Sequence, residues 1–245
     1  MTDIICDTNI WYNIGRKSIN VEPFENRLCF HYLTVGELLS TEKLLYSPED
    51  HREAVSSLFS YGKYSDSHMF PVFDHIHHLY NESYSYSESV IGNMLTNLKL
   101  LSWVGLPDEI RSEYSTKGDK VRELQEMESS KINNYSKEIK SVMCQFKKHD
   151  YTHEIREIII KNVNLSANDN VMDMHFDWTK LELLEATMKE SSKKLNSGLI
   201  FKNNDWNDLL QLAYVQPGNQ YWTKEKRWKR IITDSGMEHY LYEKL

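Results

Sequence analysis

The chain has 245 residues, with 29 Lys and Arg against 36 Asp and Glu, a formal charge of −7. At 40% hydrophobic and 27% charged, it has the composition of a soluble globular protein long enough to bury an ordinary core. The acidic balance argues against a protein that coats nucleic acid through a general positive field. Nine Gly and five Pro are too few for an all-β sandwich of many tight turns.

The first β-type run covers residues 3–7, Asp3-Ile4-Ile5-Cys6-Asp7, and a helical pattern follows it. No positively charged region precedes it, so the N-terminus does not read as a signal peptide. No stretch approaches the roughly 20 apolar residues of a membrane span. Cys6, Cys29 and Cys144 are odd in number and far apart, in no metal-ligand spacing. The expectation is a cytoplasmic, reduced protein with no membrane partner. A second run at 28–33, Leu28-Cys29-Phe30-His31-Tyr32-Leu33, leads into the helix-like Val35-Gly36-Glu37-Leu38-Leu39. From about residue 40 to 199 the periodicity is helical, with Pro48, Pro71, Pro107 and Pro217 as punctuation and a loop or helix start at 81–89. A charge-rich stretch, 108–162, carries a spaced apolar stripe from Ile110 through Val121, Leu124, Met127, Ile132, Ile139, Val142, Met143, Phe146, Ile155 and Ile158 to Ile159. It reads as long helices in a hairpin or small bundle. The third run, 220–223, follows the helical pattern of 208–214.

Short apolar strands alternating with amphipathic helices predict an α/β fold with a parallel sheet. The two ends of the chain must meet to build it. The α/β core is therefore assigned to residues 1–40 and 196–245, and 41–195 to a helical insertion packed on the core or projecting from it.

The acids fall at meaningful places in that scheme. Asp7 closes the first strand, Glu37 lies in the helix after the second, Asp205 and Asp208 share a face at the start of a helix, and Glu225 follows the third strand. In an open α/β sheet the ligand site lies outside the carboxyl ends of the strands. Carboxylates converging there repel one another, and a hard divalent cation such as Mg²⁺ or Mn²⁺ removes the conflict. Such an ion supports hydrolysis of a phosphodiester. Taken singly, each acid also has a structural explanation: a helix cap for Asp7, first-turn residues for Asp205 and Asp208, a rim position for Glu37 and a surface ion pair for Glu225. After the third strand, Lys224, Lys226, Arg227, Lys229 and Arg230 form a basic run that suits phosphate contacts, and Trp228 suits either base stacking or burial. Arg16 and Lys17 extend the patch or are merely solvated.

The ordered set of Asp7-Thr8-Asn9, the segment 33–39 with Glu37, the segment 204–213 with Asp205 and Asp208, and Tyr221-Trp222-Thr223-Lys224-Glu225-Lys226 resembles the PIN-domain nucleases. That resemblance covers roughly the first 40 and last 50 residues. It implies a Rossmann-like PIN core, a short central parallel sheet flanked by helices, and a metal-dependent endoribonuclease. Asp7, Glu37, Asp208, Asp205 and Glu225 would then be the catalytic, metal-holding acids. Asn9 and Thr223 would position water or substrate, and Lys224, Lys226 and Arg227 would anchor phosphates. Glu225 stands where the family usually has Asp, and the segment between Glu37 and Asp205 exceeds a minimal domain. The substrate expected is nucleic acid, RNA before DNA, with a toxin or defence-effector role. The alternatives are a DNA or structure-specific nuclease, and an inactive scaffold whose helical insertion binds a protein partner or a second copy of the chain.

Other motifs carry less. His75, His77 and His78 form an H-x-H-H cluster, and His149 and His153 stand four apart, but neither has the ligand framework of a zinc site. There is no G-x-S-x-G, no Gly-rich phosphate loop and no placed Cys–His pair.

Overall fold

The structure, a computed structural model, describes residues 2–24, 26–102, 151–167 and 175–243. Most of these residues are helical, around a small three-stranded parallel sheet of order β2-β1-β3. The central strand β1 (Ile4–Cys6) is buried along its whole length, as expected of a parallel strand covered on both faces. It pairs with β2 (Leu28–Cys29) through Ile4↔Leu28 and with β3 (Gln220–Trp222) through Ile5↔Tyr221. The two ends of the chain thus lie side by side, as the apolar runs require.

Side chains alternate across this sheet, and two hydrophobic clusters follow from that alternation. Ile4, Cys6, Leu28 and Trp222 face one cluster, with Trp11 of α1 (Thr8–Gly15), Val55 of α4 (Pro48–Tyr61) and Leu98 of α6 (Glu88–Ser102). Ile5, Cys29 and Tyr221 face the other, with Ile76 of α5 (Val72–Tyr80), Ile159 of α7 (Tyr151–Ala167), Leu184 of α8 (Glu182–Asn196), Leu209 of α9 (Asn203–Leu210) and Trp228 of α10 (Lys226–Asp234). Helices from between residues 41 and 195 therefore pack into both clusters alongside the core strands. Gly15 lets α1 approach α4 closely, since a Cβ there would come within 2.7 Å of the Glu53 backbone carbon.

The second strand is shorter than the expected 28–33. Its outer edge is taken by Lys63, whose N–H donates to the Leu28 carbonyl at 2.9 Å and whose carbonyl accepts from the Phe30 N–H at 3.0 Å. His31 then becomes the N-cap of α2 (Tyr32–Ser40), its ring nitrogen accepting from the Thr34 N–H at 3.4 Å, and Tyr32 and Leu33 belong to the helix. The Lys63 bridge to Cys29 is also a strand contact within the segment expected to be purely helical. A four-residue helix, α3 (Lys43–Tyr46), precedes α4, and Pro48 sits at the first turn of α4, where its missing N–H costs nothing. Residues 81–87 form a loop before α6. Of the apolar stripe, Ile155, Ile158 and Ile159 are buried in α7; the residues from Ile110 to Phe146, with Pro107, Cys144 and His149, lie outside the described residues. No helix of the described residues is long and apolar enough to cross a membrane.

Candidate active site

Four carboxylates from four separate elements stand around the carboxyl end of β1. Asp7 follows that strand directly and is only 2% exposed. It caps α1, Oδ1 accepting from the Asn9 N–H at 3.3 Å, while Oδ2 accepts from the Thr223 hydroxyl at 2.7 Å. The helix cap and the site position are thus one arrangement, because a strand that ends in a cap residue points that residue at the strand's carboxyl end. Glu37, on α2, accepts a short hydrogen bond from the Thr8 hydroxyl. Glu225 is the N-cap residue of α10; its backbone N–H donates to Thr223 Oγ1 at 3.1 Å and its Oε1 accepts from the Asn9 amide at 3.0 Å. Asp208, on α9, accepts from the Trp228 indole N–H at 2.8 Å.

Burial raises the proton affinity of all four, and for each acid other than Asp7 the charge of its neighbours adds to it. Glu37 is pushed up to about 7, by burial first and then by the charges of Asp7 and Glu225. Asp208 is pushed up to about 9, again by burial, then by Glu37, Asp7 and Glu225. Asp7 and Glu225 are raised as well, chiefly by burial. The Tyr221 hydroxyl, bonded by the Gln211 amide at 2.7 Å, lies in the field of the same four acids, and its ionisation is suppressed by burial and then by them. Lys43 faces Glu37 from α3; burial lowers its proton affinity and the Tyr12 ring packs 3.7 Å from its ammonium.

Asp205 and Arg227, expected at the metal and at a phosphate, are bonded to each other. Asp205 is 4% exposed, and its second oxygen accepts from the Lys202 N–H at 2.5 Å in a capping box at the start of α9. The Arg227 guanidinium lies 5.6 Å from the Phe201 ring centre and 5.7 Å from that of Trp228. Trp228 is buried, not presented for base stacking. Of the other expected substrate residues, Asn9 and Thr223 hold carboxylates, Lys224 reaches Asn13 Oδ1 at 3.1 Å, and Lys226 is exposed. Arg16 pairs with Asp50 at 2.5 Å on the surface. Sequence reading did not single out Thr8, Tyr221, Gln211 or the Trp228–Asp208 bond; only the adjacency of Thr8 to Asp7 signalled any of them.

The histidines form a different assembly. His31 stacks on Tyr214 with ring centres 4.5 Å apart, His75 packs against the same ring at 4.6 Å, and His68 lies 6.1 Å from His75. The His75 and His78 rings each direct Nδ1 at a backbone carbonyl, Ser67 and Tyr84, both at 2.8 Å. His153 is an exposed partner of Glu157.

Among the described residues, no three His, Cys, Asp or Glu side chains stand in the tight arrangement of a metal site. The four acids are coupled by charge rather than gathered on one point. Their chemistry fits a hard divalent cation: all-oxygen donors, like charges that resist joint ionisation, and a hydrogen-bond donor that fixes each carboxylate from behind. No family model, no curated protein and no solved structure shows a significant match to this chain.

Proposed function

We propose that the protein is a divalent-metal-dependent nuclease built on a PIN-like core, hydrolysing phosphodiester bonds in RNA. The carrying observation is the set of Asp7, Glu37, Asp208 and Glu225, delivered by four elements to one strand end, all raised by burial and all but Asp7 raised further by their neighbours' charge. Mg²⁺ or Mn²⁺ would be held by Asp7, Glu37 and Asp208, with Glu225 at the rim. Bound there, it would polarise a phosphoryl oxygen and lower the pKa of a water. Thr223 and Asn9 fix the acids, Thr223 by donating to Asp7 and Asn9 by donating to Glu225. Lys224 and Lys226, beside Glu225 and exposed, would meet phosphates flanking the reacting one.

The wide spacing of the acids favours a second reading, an inactive PIN-like scaffold whose helices bind a protein partner. One experiment separates the two. Purified protein is incubated with matched RNA and DNA oligonucleotides, with Mn²⁺ or with EDTA, beside Asp7→Asn and Asp208→Asn. RNA cleavage that needs Mn²⁺ and both acids supports the nuclease. Cutting confined to DNA changes the substrate, and equal cleavage by wild type and mutants, or none, removes the proposal.

A further inference from the structure

We propose that Trp228 is a positioning residue for Asp208, and that Arg227 clamped on Asp205 holds it in place. The inference rests on reading the crevice as a divalent-cation site.

Helix α10 presents its inner face to α9 through two adjacent residues. The Trp228 indole N–H donates to Asp208 Oδ2 at 2.8 Å, and the same carboxylate lies in the field of Glu37, Asp7 and Glu225. One residue earlier, Arg227 is paired with Asp205, three residues before Asp208 on α9. Asp205 in turn accepts from the Lys202 N–H, so the ion pair is welded to the first turn of α9. Phe201 completes the clamp: its ring packs edge-on against Trp228 at 5.7 Å and against Trp206 at 5.1 Å. Two helices thus meet through a hydrogen bond to the crevice acid and an ion pair beside it.

The indole bond is not a general requirement of burying tryptophan in this fold. Trp11, Trp206 and Trp228 are all fully buried, yet the indole nitrogens of Trp11 and Trp206 have no hydrogen-bond partner among the described residues. Of these three, Trp228 is the one whose N–H meets a carboxylate. Partners that orient a ligating carboxylate typically change metal affinity or activity by about 10–100-fold when removed. Arg227 acts on that bond from the side: its guanidinium flanks the Trp228 ring, and its charge is spent on Asp205 and unavailable to a phosphate. Of the outward residues of the same helix, Lys226 is exposed and Arg230 lies 3.7 Å from Asp234.

The test follows the melting temperature during Mn²⁺ titration, in parallel with RNA cleavage, for wild type, Trp228→Phe, Arg227→Met and Lys229→Ala. Trp228→Phe keeps the ring and loses the donor. The Mn²⁺ concentration at which its melting temperature has risen by a fixed increment, its Mn²⁺ midpoint, is expected to increase about tenfold or more, with cleavage restored at high Mn²⁺. Arg227→Met removes the ion pair at a position whose side chain is 34% exposed, and shifts in the same direction by less. Lys229→Ala titrates like wild type. A purely structural Trp228 would lower the metal-free melting temperature and leave the Mn²⁺ midpoint unmoved. If wild type responds to Mn²⁺ while Trp228→Phe and Arg227→Met respond at the same concentration, the positioning role is refuted and the metal reading stands. If Trp228→Phe does not fold, Arg227→Met decides alone. A wild type indifferent to millimolar Mn²⁺ overturns both.

Discussion

Two groups of ionisable side chains are buried in this protein, and burial acts on them in opposite senses. At the carboxyl end of β1, Asp7, Glu37, Asp208 and Glu225 are all pushed toward the protonated form, with Glu37 near 7 and Asp208 near 9. Around Tyr214, His31, His68 and His75 are all pushed toward the neutral form, with His68 at about 4 and His75 at about 3. Desolvation is the first cause in both places, because it disfavours whichever form is charged. A neutral imidazole then becomes an ordinary stacking ring, and the histidine group is core. Three of the acids, Glu37, Asp208 and Glu225, are raised by neighbouring carboxylates as well as by burial, a conflict that a bound divalent cation would relieve. Burial of titratable groups marks a functional site only where the charges cannot be discarded.

The largest expected effect separates the groups outright. Asp7→Asn or Asp208→Asn should reduce RNA cleavage by more than about 100-fold, beyond the loss expected from an outer partner. In the histidine region, Tyr214→Ala should cost about 3–5 kcal/mol in denaturant unfolding, the range for truncating a buried aromatic, while the Mn²⁺ midpoint stays unchanged. A Tyr214→Ala protein that folds but no longer responds to Mn²⁺ would merge the two regions into one site.

The pH response should also divide them. A carboxyl whose folded pKa is raised binds protons more tightly in the folded state, so stability falls as pH rises through the window between its unfolded and folded values. For Glu37 that window runs from 4.5 to about 7. For the histidines, lowered in the fold, stability is lost as pH falls below 6.5. Metal-free wild type should therefore lose stability relative to Glu37→Gln between pH 4.5 and about 7, and Mn²⁺ well above its Kd should offset that loss. A constant difference across this range would mean that Glu37 is not held toward its protonated form. The smallest effect concerns the exposed basic face: Lys226→Ala should weaken RNA binding severalfold and lower the slope of log affinity against log salt by about 1.

Much of the frame was legible from short apolar runs. Ile4-Ile5-Cys6, Leu28-Cys29 and Gln220-Tyr221-Trp222 mark the three strands; Asp7, Glu37 and Glu225 follow from the strand ends, and Asp205 and Asp208 from a helix start. What the chain did not disclose needs a partner distant in sequence. Asp205 reads like Asp208 until Arg227, 22 positions on, is seen bonded to it. Trp228 reads as equally suited to stacking or burial until Asp208 appears at its indole nitrogen. The second strand reads too long because Phe30, Tyr32 and Leu33 continue the apolar character of Leu28-Cys29 around His31, and only the side-chain cap at His31 tells the helix where to start.

Thermal unfolding of the metal-free protein during Mn²⁺ titration, wild type beside Asp7→Asn, tests the crevice most directly. A ligand that binds only the folded state stabilises it by about 2.7 kcal/mol at 100 times its Kd. Wild type should show a rise in melting temperature that grows with the logarithm of Mn²⁺ concentration and that Asp7→Asn lacks. An unchanged midpoint at millimolar Mn²⁺, or the same rise in both proteins, would contradict a cation held by these acids.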